Sequence, residues 1–193
     1  MTPHGSDDRS QQLLQRMADH RESASWAVWE DDNISFPARP AGLHTGAVLI
    51  AINRGGHGPG STPLPPWTNF HTARKHNDHF LAVACRDTPL WGGYMTDLLE
   101  ERNGRLASVD TSRAVVDANV AALADELRLL QAQDPLLVLI GGRCQTLATG
   151  PARLGALATA LRADRNTIRW VHIPHYSPAK GPSTVASLSA TAN

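Results

Sequence analysis

The chain has 193 residues, of which 41% are hydrophobic and 19% charged, with 18 Lys and Arg set against 18 Asp and Glu. That length suits one domain, since domains cluster around roughly 100–200 residues, and no apolar run approaches the roughly 18 residues of a membrane span. Two cysteines, Cys85 and Cys144, are too few for a disulfide framework or a zinc cluster, and zero net charge lacks the basic footprint that a nucleic-acid partner usually leaves.

The opening MTPHGSDDRSQQ has no basic stretch followed by an apolar one, so no secretory signal is read and a cytoplasmic location is expected. A helix is expected near 8–20, followed by SWAVWE as a candidate extra edge strand. Four apolar segments read as strands buried on both faces: GAVLIAIN (46–53), GYMTDLL (93–99), PLLVLIGG (135–142) and TIRWVHIP (167–174). Helices are expected around 77–86, 112–132 and 152–163. In the second of these, Val116, Val120, Leu123, Leu127 and Leu130 recur at spacings of four and three, with Asp117, Asp125, Glu126 and Arg128 largely off the stripe. Asp110 to Ser112 offer capping side chains at its start, and Pro135 marks its end. The small, polar run from Gly181 to Asn193 predicts a disordered tail after a single domain over 1–180.

Alternating strands and helices predict a three-layer αβα fold with a short, four-stranded, mainly parallel sheet. Ligands of such sheets bind outside the carboxyl ends of the strands. Asn53 and Arg54 follow the first strand, Asp97 stands near the end of the second, Arg143 follows the third, and His175 and Ser177 follow the fourth. Charge has the same geography: between Arg54 and His79 three Arg or Lys and four His face one acid, Asp78. A neutral chain can thus present one positive face to a phosphate backbone.

LIAINRGGHG lacks both G-x-G-x-x-G and a Walker loop, which removes support for dinucleotide and P-loop readings. Its Ala51-Ile52-Asn53-Arg54-Gly55 turn partly resembles the Gly-x-Asn-Pro-Gly type turn that ends the first strand in the uracil-DNA glycosylase superfamily. His175-Tyr176-Ser177-Pro178 is similar to the His-Pro-Ser-Pro motif closing that fold, and YMTDLL looks like the segment where several members carry Thr-Asn. Trp91 to Asp97 and His175 to Ser177 resemble closely an uncharacterised glycosylase-like branch with a Trp-Gly-x-Tyr-Met-Thr-Asp stretch and a final His-Tyr-Ser. The resemblance covers roughly residues 46 to 180.

The resemblance implies a uracil-DNA glycosylase-like fold and a monofunctional DNA glycosylase, active in base-excision repair or in defence against foreign DNA. Such an enzyme flips its nucleotide into a pocket. Asn53 would hold a water near the anomeric carbon, and His175 would donate a hydrogen bond to a carbonyl of the departing base. Asp97 stands where the family's base-reading Asn stands. An ionised carboxylate only accepts hydrogen bonds, which suits the exocyclic amino group of cytosine better than uracil, although a negative charge would repel a leaving anion unless the group is neutral. Phe70 or Trp67 would stack on the base with Tyr94 beside it. Arg54, Arg74, Lys75, Arg143 and Ser177 are candidate phosphate contacts. No lysine is placed as a Schiff-base nucleophile, no cofactor or metal is called for, and DNA is the expected partner of a monomer.

Three other readings stand beside this one. HTARKHNDHF places His71, His76, Asp78 and His79 close together, without the H-E-x-x-H or paired-Cys spacing of a metal site. Cys144 with His175 could form a nucleophile pair, although Gly142-Arg143-Cys144-Gln145-Thr146 lacks the second Gly of a nucleophile elbow. The third is a non-catalytic nucleic-acid or nucleotide-binding module of the same fold.

Overall fold

The computed structural model describes residues 4–55, 65–71, 77–163 and 167–176. Ten elements follow one another: α1 (His4–Arg16), β1 (Ser25–Trp26), β2 (Ala47–Asn53), α2 (Asp78–Cys85), β3 (Tyr94–Leu99), α3 (Arg113–Leu130), β4 (Leu136–Ile140), α4 (Gly142–Ala148), α5 (Pro151–Ala160) and β5 (Trp170–Ile173). Short 3-10 turns lie at Ala18–His20 and Leu106–Ser108.

The sheet has five strands in the order β1-β3-β2-β4-β5, which corrects the expected four. Strands β3, β2, β4 and β5 are parallel, and β1 pairs antiparallel with β3 through Ser25 and Trp26. The fifth strand comes from SWAVWE and is only two residues long. β2 lies between two parallel neighbours, so six of its seven residues are buried and no hydrophobic alternation shows in its sequence. β5 departs from expectation in another way. It is an edge strand with His172 exposed and Trp170 and Val171 half-buried, because only β4 pairs with it.

Strand parity divides the core between two faces. Val48, Ile50, Tyr94, Leu98, Leu137 and Leu139 pack toward α3 and α5, whose Val116, Val120, Leu123, Leu127 and Leu157 are buried with them. Leu49, Ala51, Met95, Val138 and Ile140 pack on the opposite side with Leu81, Ala82 and Cys85 of α2. The two faces follow from handedness: the chain leaves β2 in one direction to reach β3 and turns back across it to β4 and β5, so right-handed crossovers put α2 opposite α3 and α5. The order reverses between β2 and β4, and the crevice of such a sheet opens outside the carboxyl ends of those strands.

Two details of α3 differ from expectation. Ser112 stands at the N-cap without a side-chain capping bond; Asp110 Oδ1 instead accepts the Ser112 N–H at 2.8 Å, forming a turn before the helix. Glu126 is not off the stripe: only 11% of its side chain is exposed. Its Oε1 accepts the Tyr94 hydroxyl at 2.8 Å, and its Oε2 lies 3.6 Å from His20 Nδ1. A carboxyl at the border of an apolar stripe can be buried where polar groups meet it on several sides.

Gly92 in the WGGYMTD stretch has a backbone reason to be glycine. Its φ is +91°, and a Cβ there would stand 2.3 Å from the Gly42 carbonyl oxygen. Its N–H and C=O join Ala27 and His44, each at 2.9 Å, tying β3's approach to the edge strand. Gly92→Ala is therefore expected to destabilise the fold by about 2 kcal/mol or more in urea unfolding. Gly55→Ala, where nothing lies within 4 Å, should leave the midpoint nearly unchanged. Equal midpoints for the two variants would contradict the close approach.

Candidate functional site

Asp97 is built into the sheet two residues before the end of the β3 register with β2. It stands opposite Ala51, while Asn53 stands opposite Leu99. Parity turns Tyr94 and Thr96 toward Glu126 on α3 and Met95 toward α2; Asp97 shares the α2 side. There it meets the segment 65–71. The Asn69 side-chain amide donates one hydrogen to the Ser23 carbonyl at 2.7 Å and the other to Asp97 Oδ2 at 2.8 Å. Asp97 Oδ1 is buried and has no hydrogen-bond partner among the described residues, although the residue as a whole keeps some exposed surface.

The segment that carries Asn69 is held in a demanding conformation. Trp67 and Phe70, on either side of it, have φ of +63° and +67°, a region that bulky residues seldom occupy. Backbone and side-chain bonds fix it there: Trp67 N–H donates to the Arg21 carbonyl at 2.6 Å, Ser25 Oγ donates to the Trp67 carbonyl, and His71 Nε2 lies 3.2 Å from the Trp26 carbonyl. Strain of this kind persists only where the surroundings over-determine it, and here its effect is to aim Asn69 at Asp97.

Burial pushes the Asp97 carboxyl up to about 7. The Asn69 hydrogen bond and the Arg54 guanidinium pull the other way, and the negative groups Glu126 and Asp78 add to the rise. Arg54, directly after β2, is half-buried with its Nη1 on the Glu22 carbonyl at 3.2 Å; burial and the neighbouring Arg102 favour its neutral form, while Asp97, Glu100 and Glu126 oppose this.

His175 follows β5 and packs against the end of β4. Gly141, whose φ of +88° favours glycine, lies beside it: a Cβ on that glycine would make ordinary contact at 3.5 Å with His175 Cβ and Cδ2. Its ring stacks on Tyr176 with centroids 4.8 Å apart. Burial lowers its proton affinity and the Asp78 carboxylate opposes that shift. Tyr176 is buried and hydrogen-bonded to Asp78. Asp78, itself buried in the first turn of α2, thus acts electrostatically on Asp97, His175 and Tyr176 together.

The other expected site residues are placed as follows. Asn53 is half-buried, and its amide nitrogen donates to the carbonyls of Asn103 at 2.8 Å, Arg54 at 3.0 Å and Glu101 at 3.4 Å, which leaves its oxygen as the atom able to hold a water. Phe70 is buried in the core cluster on the α2 side. Trp67 belongs to the opposite cluster, 6.4 Å from Trp26. Tyr94 is fully buried, edge-on to Trp26 and bonded to Glu126. Trp67 and Tyr94 thus belong to the core cluster on the α3 side, the face opposite the one that Asp97 shares with Met95. Arg143, in the first turn of α4, donates to Thr111 Oγ1 at 2.8 Å. Arg74, Lys75 and Ser177 lie outside the described residues, as do His76 and the tail from Gly181.

The competing readings also meet geometry. Cys144 Sγ is buried against the carbonyls of Ile50 at 3.3 Å and Ala51 at 3.6 Å. Burial and the nearby Asp97 push its thiol well above the ordinary range, which is the reverse of what a nucleophile needs. His71 lies between Trp29 and Phe36, and burial pushes it down to about 4. Among the described residues no group of three or more His, Cys, Asp and Glu could hold a metal. A cavity of about 410 Å³ lined by Gln133, Asp134, Leu161, Arg162, Ala163 and Thr167 opens before β4 and β5, at the amino ends of those strands and away from Asp97.

Sequence reasoning missed Asn69 and Asp78. Asn69 sits in PPWTNFH between two aromatics that drew attention, and Asp78 stood out only as one acid among histidines. Neither type nor spacing marks them; only the fold brings them to Asp97 and His175.

A carboxyl whose folded-state affinity for protons exceeds its unfolded one stabilises the fold below the unfolded value, near 4, and loses that contribution as pH rises to about 7. The wild type should therefore lose on the order of a few kcal/mol more than Asp97→Asn between pH 4 and 8. Urea unfolding of both proteins at the two pH values checks this, and parallel pH dependences would contradict it. Ellman's reagent should leave both thiols unmodified until the chain unfolds; rapid labelling of folded Cys144 would contradict its burial. No family model, curated protein or solved structure matches the chain.

Proposed function

We propose that this chain is a monofunctional DNA glycosylase hydrolysing the N-glycosidic bond of a flipped cytosine-type base. A modified cytosine fits best, since removing normal cytosine would damage the cell's own DNA; repair and defence against foreign DNA both supply such a target. The observation that carries the reading is Asp97 Oδ1, a buried carboxyl oxygen without a donor among the described residues, near the same sheet edge as Asn53 and His175. Buried polar atoms without partners are few in native proteins and each calls for an explanation. A ligand that supplies the partner is one.

The chemistry asked of these residues is modest. As the bond between sugar and base breaks, its electrons go to the base and the sugar gains oxocarbenium character. His175 would donate a hydrogen bond to the base carbonyl, where negative charge appears only in the transition state. Asn53, through its amide oxygen, would orient the water that adds to the sugar. Phe70, next to Asn69, would supply the stacking surface. Arg54 and Arg143 would hold phosphates, and Arg74, Lys75 and Ser177 remain candidates for the same role.

One observation favours a second reading, a non-catalytic nucleic-acid or nucleotide-binding module. The Asn53 amide nitrogen is tied to three backbone carbonyls, an arrangement that would serve equally to close the loop after β3. The two readings part in one assay. A glycosylase should release free base from duplexes carrying modified cytosines, and His175→Ala should lower that release by about 10²-fold while DNA affinity is kept. Measured by mass spectrometry of released bases, no release from any duplex together with retained DNA affinity would favour the binding module.

A further inference from the structure

We propose that Asp97 enters the reaction as a neutral carboxylic acid with its proton on Oδ1, and gives that proton to a nucleobase ring nitrogen beside an exocyclic amino group. The inference rests on the glycosylase reading and sharpens it, from a residue that reads the base to one that activates its departure.

The geometry sorts the two oxygens. Asn69 donates to Oδ2 at 2.8 Å, so Oδ2 is the oxygen held as acceptor. Oδ1 is buried and receives no hydrogen bond from the described residues. No Lys, Arg or His pairs with Asp97 among the described residues. An ionised carboxylate placed so would leave charge on a buried oxygen without a protein donor among the described residues, a costly arrangement; a proton on Oδ1 removes that charge. The charged and titratable groups around it are mixed: Arg54 after β2, Glu126 on α3 and Asp78 on α2 act on Asp97, and the Cys144 thiol and Tyr176 hydroxyl feel its charge. Burial outweighs Arg54 and Asn69, so the neutral form persists to about pH 7.

A neutral acid offers one O–H donor and one carbonyl acceptor. Its complement is a ring nitrogen acceptor beside an amino donor, the edge shared by cytosine and adenine. Uracil presents an N–H at the corresponding ring position, which would oppose the acid's O–H. Oδ1 is covered in the unliganded chain, so base entry must displace its cover. On reaction the Oδ1 proton passes to the ring nitrogen while the electron pair of the sugar–base bond stays with the base, which leaves neutral. Water adds through its oxygen to the sugar cation, and one water proton returns to the Asp97 carboxylate. Atoms and electrons balance without a further reactant. This also removes the difficulty of a carboxylate beside a departing anion.

The test measures single-turnover base release from otherwise identical duplexes carrying cytosine, a 5-modified cytosine, adenine or uracil, from pH 5.5 to 9. Wild-type release from an amino-bearing base should be level below about pH 7 and fall about tenfold per pH unit above it. Asp97→Asn places an amide N–H where the acid's O–H stood but has no proton to give. It should bind the duplex within about threefold of wild type, while release falls by ~10²-fold or more. Retained binding also shows that the variant is folded. The cytosine and adenine arms separate a pyrimidine from a purine target. A flat profile above pH 7 or full release by Asp97→Asn would overturn the acid role and leave the proposed glycosylase reading standing, whereas preference for uracil would overturn both the acid role and the assignment of a cytosine-type base. Release of no base from any duplex would overturn that reading, and this inference with it.

Discussion

Among the described residues one amide hydrogen meets the Asp97 carboxyl inside a mixed, mainly parallel sheet: the Asn69 bond to Oδ2. Much of the surrounding architecture serves that contact. Asn69 is aimed by two flanking residues in left-handed conformations, and these are held by bonds to the chain between Arg21 and Trp26. That chain is fixed in turn by β1, whose pairing with β3 requires Gly92 and Gly93 to come close to their neighbours' backbone. The edge strand is only two residues long, yet through it the loop that carries Asn69 is referred back to β3, where Asp97 stands.

The two faces of the sheet treat a buried acid differently, and the contrast is informative. On the α3 face Glu126 is met by the Tyr94 hydroxyl, the Thr96 side chain and His20, with Arg54 in electrostatic reach. Such an acid can be accounted for by structure alone, since partners on several sides offset its desolvation. On the α2 face Asp97 is met by the described residues on one oxygen only. A chain able to satisfy one buried carboxyl so thoroughly has left the other incomplete. Incompleteness of this kind lowers stability.

The fold was largely legible because its strands and helices obey simple periodicities. The central strands read as continuous apolar runs, and α3 shows its stripe at spacings of four and three. What could not be read was set by tertiary pairing. SWAVWE offered an edge strand, but its length, two residues, and its antiparallel pairing with β3 come from the fold, and β5 is half-exposed because it lies at an edge. The placement of Asp97, Asn53 and His175 near strand ends followed from their positions in the runs. Grouping Tyr94 with Asp97 did not follow: residues three apart on a strand point to opposite faces, so parity alone separates them. Trp67 and Phe70 could not be told apart by sequence, because the backbone conformations that send one to each core cluster are ones their residue types disfavour. Asn69 and Asp78 carry no local signal, since their importance comes from what the fold brings to them.

The account turns on the protonation of one side chain in the folded, unliganded protein. The direct measurement is a carboxyl 13C NMR titration of aspartate-labelled protein, with the Asp97 resonance assigned by its loss in Asp97→Asn. A midpoint near 7, well above the roughly 3.9 of an exposed aspartate, is the result predicted for a carboxyl buried with a single donor. A resonance that shows Asp97 ionised throughout the range above pH 5 would contradict it.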